Sequence, residues 1–154
     1  MLFALLIGFA GIVPSLSAAD RVQIFQAAGF HLSGGRWKSD DQCDDGASPS
    51  YSAGAIKPLG DLNRDGRPEV LVTEGGTVCY GNTGEGYTLL TRSAAGRWSV
   101  ISRNTGIPTF LKTRANGWPD LEVGGPGFCF PVLRWTGKAY ANHRQQYQGK
   151  ACRR

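Results

Sequence analysis

Three oxygen-bearing side chains, Asp61, Asn63 and Asp65, alternate along the stretch DLNRDGRPEVLV and run into Gly66. Alternate spacing lets such side chains converge on one side of a tightly curved loop. Calcium takes about six to eight oxygens from carboxylates, amides, carbonyls and water. Arg67 can add its backbone carbonyl, and Glu69 can reach back from the apolar run that follows. The loop is not an EF-hand, because Val72 stands where that motif needs a bidentate Glu, and the sequence continues as a strand. The same residues also suit a metal-free acidic turn. Asp-Gly is a turn signal, Asp and Asn bond local amides, and Arg64 and Arg67 can neutralise the acids.

Other residues are candidates for different chemistry. Asp120, Glu122 and Glu74 lie near glycine-rich turns and are the acids a small hydrolase would use, which requires a cleft and a raised carboxyl pKa. His31 and His143 are the only histidines, each isolated in sequence from an obvious acid or nucleophile, and both read as surface or capping residues. Asp40–Asp41 and Asp44–Asp45 fall in a Gly/Ser-rich loop and read as solvated. GNTGEG at 81–86 lacks the Gly-Lys-Ser/Thr of a phosphate loop. Trp98 and Trp135 read as hairpin core. Trp118 follows Asn116–Gly117 in a turn, and the expectation is an exposed contact residue.

The elements that must position these residues are mostly strands. Asp20 and the helical spacing of Val22, Phe25 and Ala28 predict a short helix over 21–28, stopped by Gly29. Residues 33–60 read as loop with short strands near 35–38 and 53–57. Strands are predicted at 69–73, 87–92, 98–102, 120–123, 130–135 and 138–142, with a hairpin connection at 93–96. Pro108 reads as the end of an element. An internal repeat is visible: DGRPEVLV at 65–72 matches NGWPDLEV at 116–123, and GGTVCY at 75–80 matches GGPGFCF at 124–130. The repeat units run over about 61–102 and 112–142, too few copies for a propeller of about four blades. The expected fold is mainly β with a short N-terminal helix (α+β): a compact pseudo-symmetric antiparallel sheet or sandwich, stapled by disulfides.

The chain opens with residues 1–19 free of charged side chains, an apolar run Leu2–Val13, and small residues up to Ala19. This pattern reads as a signal peptide cleaved after Ala19, although it lacks the usual Lys or Arg. It leaves 20–154 as a single β-rich domain with no later apolar stretch long enough to cross a membrane. Four cysteines, Cys43, Cys79, Cys129 and Cys152, then suggest two disulfides in an oxidising compartment. Cys79 and Cys129 occupy equivalent repeat positions, which favours Cys79–Cys129 with Cys43–Cys152 over the rival Cys43–Cys79 with Cys129–Cys152. The net charge of +5 is scattered, which speaks against a nucleic-acid site and leaves room for attraction to an acidic envelope polymer.

DLNRDGRPEVLV resembles the loop of FG-GAP and VCBS-type repeats, Asp-x-Asp/Asn-x-Asp-Gly-x-x-Asp followed by an apolar strand. In that family such loops bind calcium between strands of extracellular β-propeller blades. The resemblance implies Asp61, Asn63, Asp65, Arg67 (through its carbonyl) and Glu69 as ligands of one structural calcium. It departs at Glu69, where Asp is usual, and in the second copy, where Lys112 and Arg114 replace ligands and imply a metal-free turn. The resemblance also implies a binding role. The expected function is a periplasmic or secreted, non-catalytic bacterial envelope protein. Its partner would be a protein or a cell-wall glycan, with inhibition of a lytic enzyme as one such task. The alternative is a small cell-envelope hydrolase using the acids named above.

Overall fold

A computed structural model of the chain describes residues 15–44 and 48–153. The apolar run of the leader, Leu2–Val13, and Asp45 lie outside the described residues. Helix α1 (Ala18–Ala27) is followed by a hairpin of β1 (His31–Ser33) and β2 (Arg36–Lys38). Strands β3 (Ser52–Gly60), β4 (Glu69–Gly75), β5 (Glu85–Arg92) and β6 (Trp98–Thr105) form one antiparallel meander. A short helix, α2 (Thr77–Tyr80), lies between β4 and β5. Strands β7 (Ile107–Ala115), β8 (Trp118–Gly124), β9 (Phe130–Trp135), β10 (Tyr140–Tyr147) and β11 (Lys150–Ala151) form a second meander in sequence order.

Strand β4 shows how the layers stack. It is buried along its whole length, and its alternate residues serve opposite faces. Val70 and Val72 join Ile24, Phe25, Ala28 and Phe30 in a core under α1. Leu71 joins Leu89 and Ile101 from the same sheet with Trp118, Leu121 and Leu133 from the other. The result is helix on sheet on sheet, and a strand buried on both faces reads as an unbroken apolar run. Trp37 of the small hairpin stacks on Phe25, ring centroids 4.7 Å apart, and closes the helix side.

The helix begins earlier than its sequence suggests. Ser17, not Asp20, is the N-cap, and Asp20 is the return partner of a capping box, accepting from Ser17 while its own amide donates to the Ser17 hydroxyl at 3.0 Å. The bond after Ala19 therefore lies inside the first turn. A cut there would remove the Ser17 cap but leave Asp20 paired with Arg92 at 3.2 Å.

Two further expectations are corrected. Pro108 does not end an element: it sits inside β7, paired with Val123, and is tolerated because β7 is an edge strand. The disulfides are Cys43–Cys79 and Cys129–Cys152, the rival of the favoured pairing. Cys79 and Cys129 follow corresponding strands of two different sheets, and each sheet is stapled at its own end. Glu74, at the end of β4, draws in Ser39 and Tyr51 from the long loop and so brings Cys43 to Cys79 on α2. In the other sheet β9 and β10 are neighbours, and the Cys152 amide donates to the Gln145 carbonyl at 3.3 Å, which sets Cys152 beside Cys129.

Candidate functional site

The 61–69 loop is a nest of side-chain-to-amide bonds. Asp61 accepts from the amides of Asp65 (3.0 Å) and Gly66 (2.8 Å), and Asn63 accepts from the Asp65 amide at 3.1 Å. Asp65 accepts from the Arg67 amide at 2.9 Å and pairs with the Arg67 guanidinium at 2.6 Å. Arg64 and Gly66 take positive φ to make the turn, a conformation that Gly66 adopts without strain. Glu69 is wholly buried and aims elsewhere: its carboxylate accepts from the Leu62 amide at 2.7 Å and the Thr91 hydroxyl at 2.8 Å. Burial pushes the Glu69 carboxyl up, the bonds from Thr91 and Leu62 pull it back, and the nearby charges of Asp65 and Asp61 raise it further.

The chemistry of Asp61, Asn63 and Asp65 fits a hard cation, since all three present oxygens to one turn. Glu69 fits less well, because it is wholly buried and turns its oxygens to the Leu62 amide and the Thr91 hydroxyl. Among the described residues no group of three or more His, Cys, Asp or Glu stands ready as a metal site. The Asn116–Gly117 turn packs against the 61–69 loop. Arg114 donates to the Leu62 carbonyl at 2.9 Å and to the Gly117 carbonyl at 2.5 Å. A guanidinium thus bridges the two turns from the position where the repeat pattern would place a ligand.

Trp118 is not exposed. It is only 6% accessible, because it opens β8 facing the core between the sheets, 4.7 Å from the Trp135 ring and edge-on to Tyr140. The turn ends at Gly117 and the tryptophan falls on the inward phase of the strand. It is a packing residue, as are Trp98 and Trp135.

The acids proposed for hydrolysis are built into the frame. Asp120 is fully buried. Arg134 grips it through two bonds (2.9 and 2.8 Å), with Arg144 at 3.1 Å and the Thr113 hydroxyl at 2.6 Å. Hydrogen bonds from Arg134 hold its carboxyl well below the usual carboxylate range against the opposing effect of burial. Glu74 accepts from the Ser39 amide (3.1 Å) and hydroxyl, the Tyr51 hydroxyl (2.9 Å) and the Tyr80 hydroxyl (2.6 Å). Glu122 accepts from Gln146 at 2.6 Å. The acids of the early loop are also engaged: Asp44 meets Arg36 at 2.6 Å and Lys38 at 2.9 Å, Asp40 caps a 3-10 turn, and Asp41 faces His31 at 3.3 Å.

A concavity lies elsewhere. A groove of about 830 Å³ runs between the end of β6 and strand β10, lined by Asn104, Asn142, His143, Arg144, Gln145 and Arg153. Register shifts between Asn142 and Arg144, so His143 is the extra residue of a β-bulge. Bulges re-aim side chains, and this one presents consecutive polar groups to the groove. Among the described residues no carboxylate lines it. Beyond Cys129, Phe128 (63% accessible) and Tyr147 (41%) stand exposed and edge to face. Sequence reading missed this site, and its one legible hint was the run NHRQQ itself.

No known protein family, no curated protein and no solved structure matches the chain.

Proposed function

We propose that this is an exported, non-catalytic binding protein of the bacterial envelope, and that the groove along β10 receives its partner. The observation that carries this reading is a groove lined by Arg153, by Arg144 (itself paired with buried Asp120) and by amides, with no acid among its described lining residues, in a chain of net charge +5. The partner it suits is an anionic chain with many hydrogen-bonding groups. A carboxylate-bearing cell-wall glycan meets that description better than a lytic enzyme, because amides and guanidinium groups answer hydroxyl and carboxylate oxygens directly. Two disulfides agree with an oxidising compartment.

Support for a binding role over hydrolysis comes from the acids. General-acid catalysis needs a carboxyl that holds its proton near neutral pH. Asp120 is shifted the opposite way, and Glu74 and Glu122 spend their oxygens on neighbouring side chains. Our reading also gives the 61–69 loop a structural calcium held by Asp61, Asn63, Asp65 and the Arg67 carbonyl, with Glu69 behind them. Such an ion would supply charge neutralisation at a strand entry.

Co-sedimentation with purified cell-wall peptidoglycan tests the proposal. The wild type is expected in the pellet at low salt and released at high salt, with a His143→Ala/Arg153→Ala variant bound at least tenfold more weakly. Equal binding by the variant, or release of soluble wall fragments by the wild type, would overturn it.

A further inference from the structure

We propose that Phe128 and Tyr147 form a stacking platform for a neutral sugar ring at one end of the β10 groove, so that the anionic chain it receives is built of pyranose rings and not of phosphates. This rests on the groove reading and adds a contact which that reading does not contain.

The two rings continue the groove. Gln145, a lining residue, stands two positions before Tyr147 on β10, so both side chains leave the same face of the strand. The Gln145 side chain ends 3.3 Å from the Cys129 sulfur, and Cys129 is joined to Cys152, which lines the groove. Phe128 directly precedes Cys129. Its ring meets that of Tyr147 at 6.4 Å between centroids with the planes 79° apart, and Phe130 backs Tyr147 at 6.0 Å.

The backbone holds Phe128 outward. Gly127 and Cys129, on either side of it, both take positive φ. Glycine adopts that conformation freely and cysteine does not. The disulfide and the start of β9 at Phe130 keep Cys129 there. Strain that a fold retains gathers at functional sites. Its effect here is to keep an apolar ring 63% accessible.

The platform is narrow, which limits what can cover it. Two partly exposed rings offer about 200 Å² of apolar surface, well below the roughly 800 Å² that each partner buries in a stable protein interface. Their neighbours Gly127, Gln148, Gly149 and Lys150 are small or polar and exposed. A membrane surface would strip water from the amides of Gln145 and Gln148 and offer little in return. A pyranose ring suits the place. Its flat C–H face meets the negative face of an aromatic ring, and its rim of hydroxyls meets amide side chains. A polyphosphate chain has no such face and would leave both rings in water.

A two-dimensional amide NMR titration of the purified protein, both disulfides formed, tests the platform with a neutral oligomer of β-1,4-linked N-acetylglucosamine. High salt screens the charges of the groove, so this probe reads the rings alone. Saturable shifts are expected at Phe128, Tyr147 and Gln148. Phe128→Ala and Tyr147→Ala should each weaken the oligomer at least fivefold, whereas Ile107→Ala, which removes another exposed apolar side chain on β7, should leave it unchanged. Thermal unfolding reports that each variant is folded. No saturable binding, binding undiminished in both ring variants, or attachment to anionic phospholipid vesicles that Phe128→Ala abolishes would overturn the proposal. Peptidoglycan co-sedimentation of the His143→Ala/Arg153→Ala variant reports on the groove by itself, so failure here and failure of the groove reading are told apart.

Discussion

Arg114 Nη1 donates to the Leu62 carbonyl at 2.9 Å, so a residue of the second turn holds the backbone of the first. The same guanidinium nitrogen reaches the Gly117 carbonyl, and Gly117 lies against Asn63, where an added Cβ would stand 3.1 Å from the Asn63 carbonyl oxygen. The two turns are therefore one structural unit at this end of the molecule.

Removing that bridge should loosen both turns. Arg114→Met is expected to cost about 1 kcal/mol, below the usual range of roughly 1.5–3 kcal/mol for bonds involving a charged group, because the side chain is exposed. Amide hydrogen exchange over 61–68 should quicken while exchange in β4 holds. Unchanged exchange in the loop would show that the bridge does not restrain it.

Calcium should raise the melting temperature of the wild type and not that of Asp65→Ala, through binding to the native state. The effect should grow with pH. Glu69 has its folded pKa above the unfolded value, so its neutral form favours folding at low pH and that contribution is lost as pH rises through the folded pKa. A cation beside Asp61 and Asp65 offsets the added charge, and the calcium shift should be larger near neutral pH than near pH ~4. A shift that is equal in Asp65→Ala would place the ion elsewhere.

Asp120→Asn should destabilise by about 3 kcal/mol, since it removes the buried negative charge that Arg134 and Arg144 share and turns one of its two acceptor oxygens into a donor. Both arginines are partly solvated, which keeps the cost at the low end. The folded pKa of Asp120 lies below the unfolded value of about 3.9. Its stabilisation is thus present above that unfolded value and is lost as pH falls toward the folded one. Acid denaturation of the wild type below pH ~4 should be steeper than that of the variant.

Cys43→Ser/Cys79→Ser should lose about 4 kcal/mol by chain entropy, the sequence separation being 36. Non-reducing peptide mapping should recover Cys43 linked to Cys79 and Cys129 linked to Cys152. A Cys79–Cys129 peptide would contradict the fold at this end.

Much of the architecture was legible because its strands carry apolar runs. VLV in β4 and YTLL in β5 face a layer on each side, so burial left a plain trace in the residue types. Strand β7 was not legible, because as an edge it places Thr109, Lys112 and Arg114 outward, and Pro108 mimics a stop. Trp118 was misread because the phase of a strand after a tight turn depends on tertiary packing. The pairing of four cysteines depends on which strands become neighbours, which the repeat alone does not specify. The groove was hidden for a related reason: a bulge at His143 exists only in the register between β9 and β10.

The most direct test of the binding account is a two-dimensional amide NMR titration with soluble, carboxylate-bearing peptidoglycan fragments. The account predicts shifts concentrated at Asn142, His143, Gln145 and Arg153, suppressed by salt, with Gly86 and Arg103 unmoved. No shifts at low salt, or shifts that bypass the β10 groove, would contradict it.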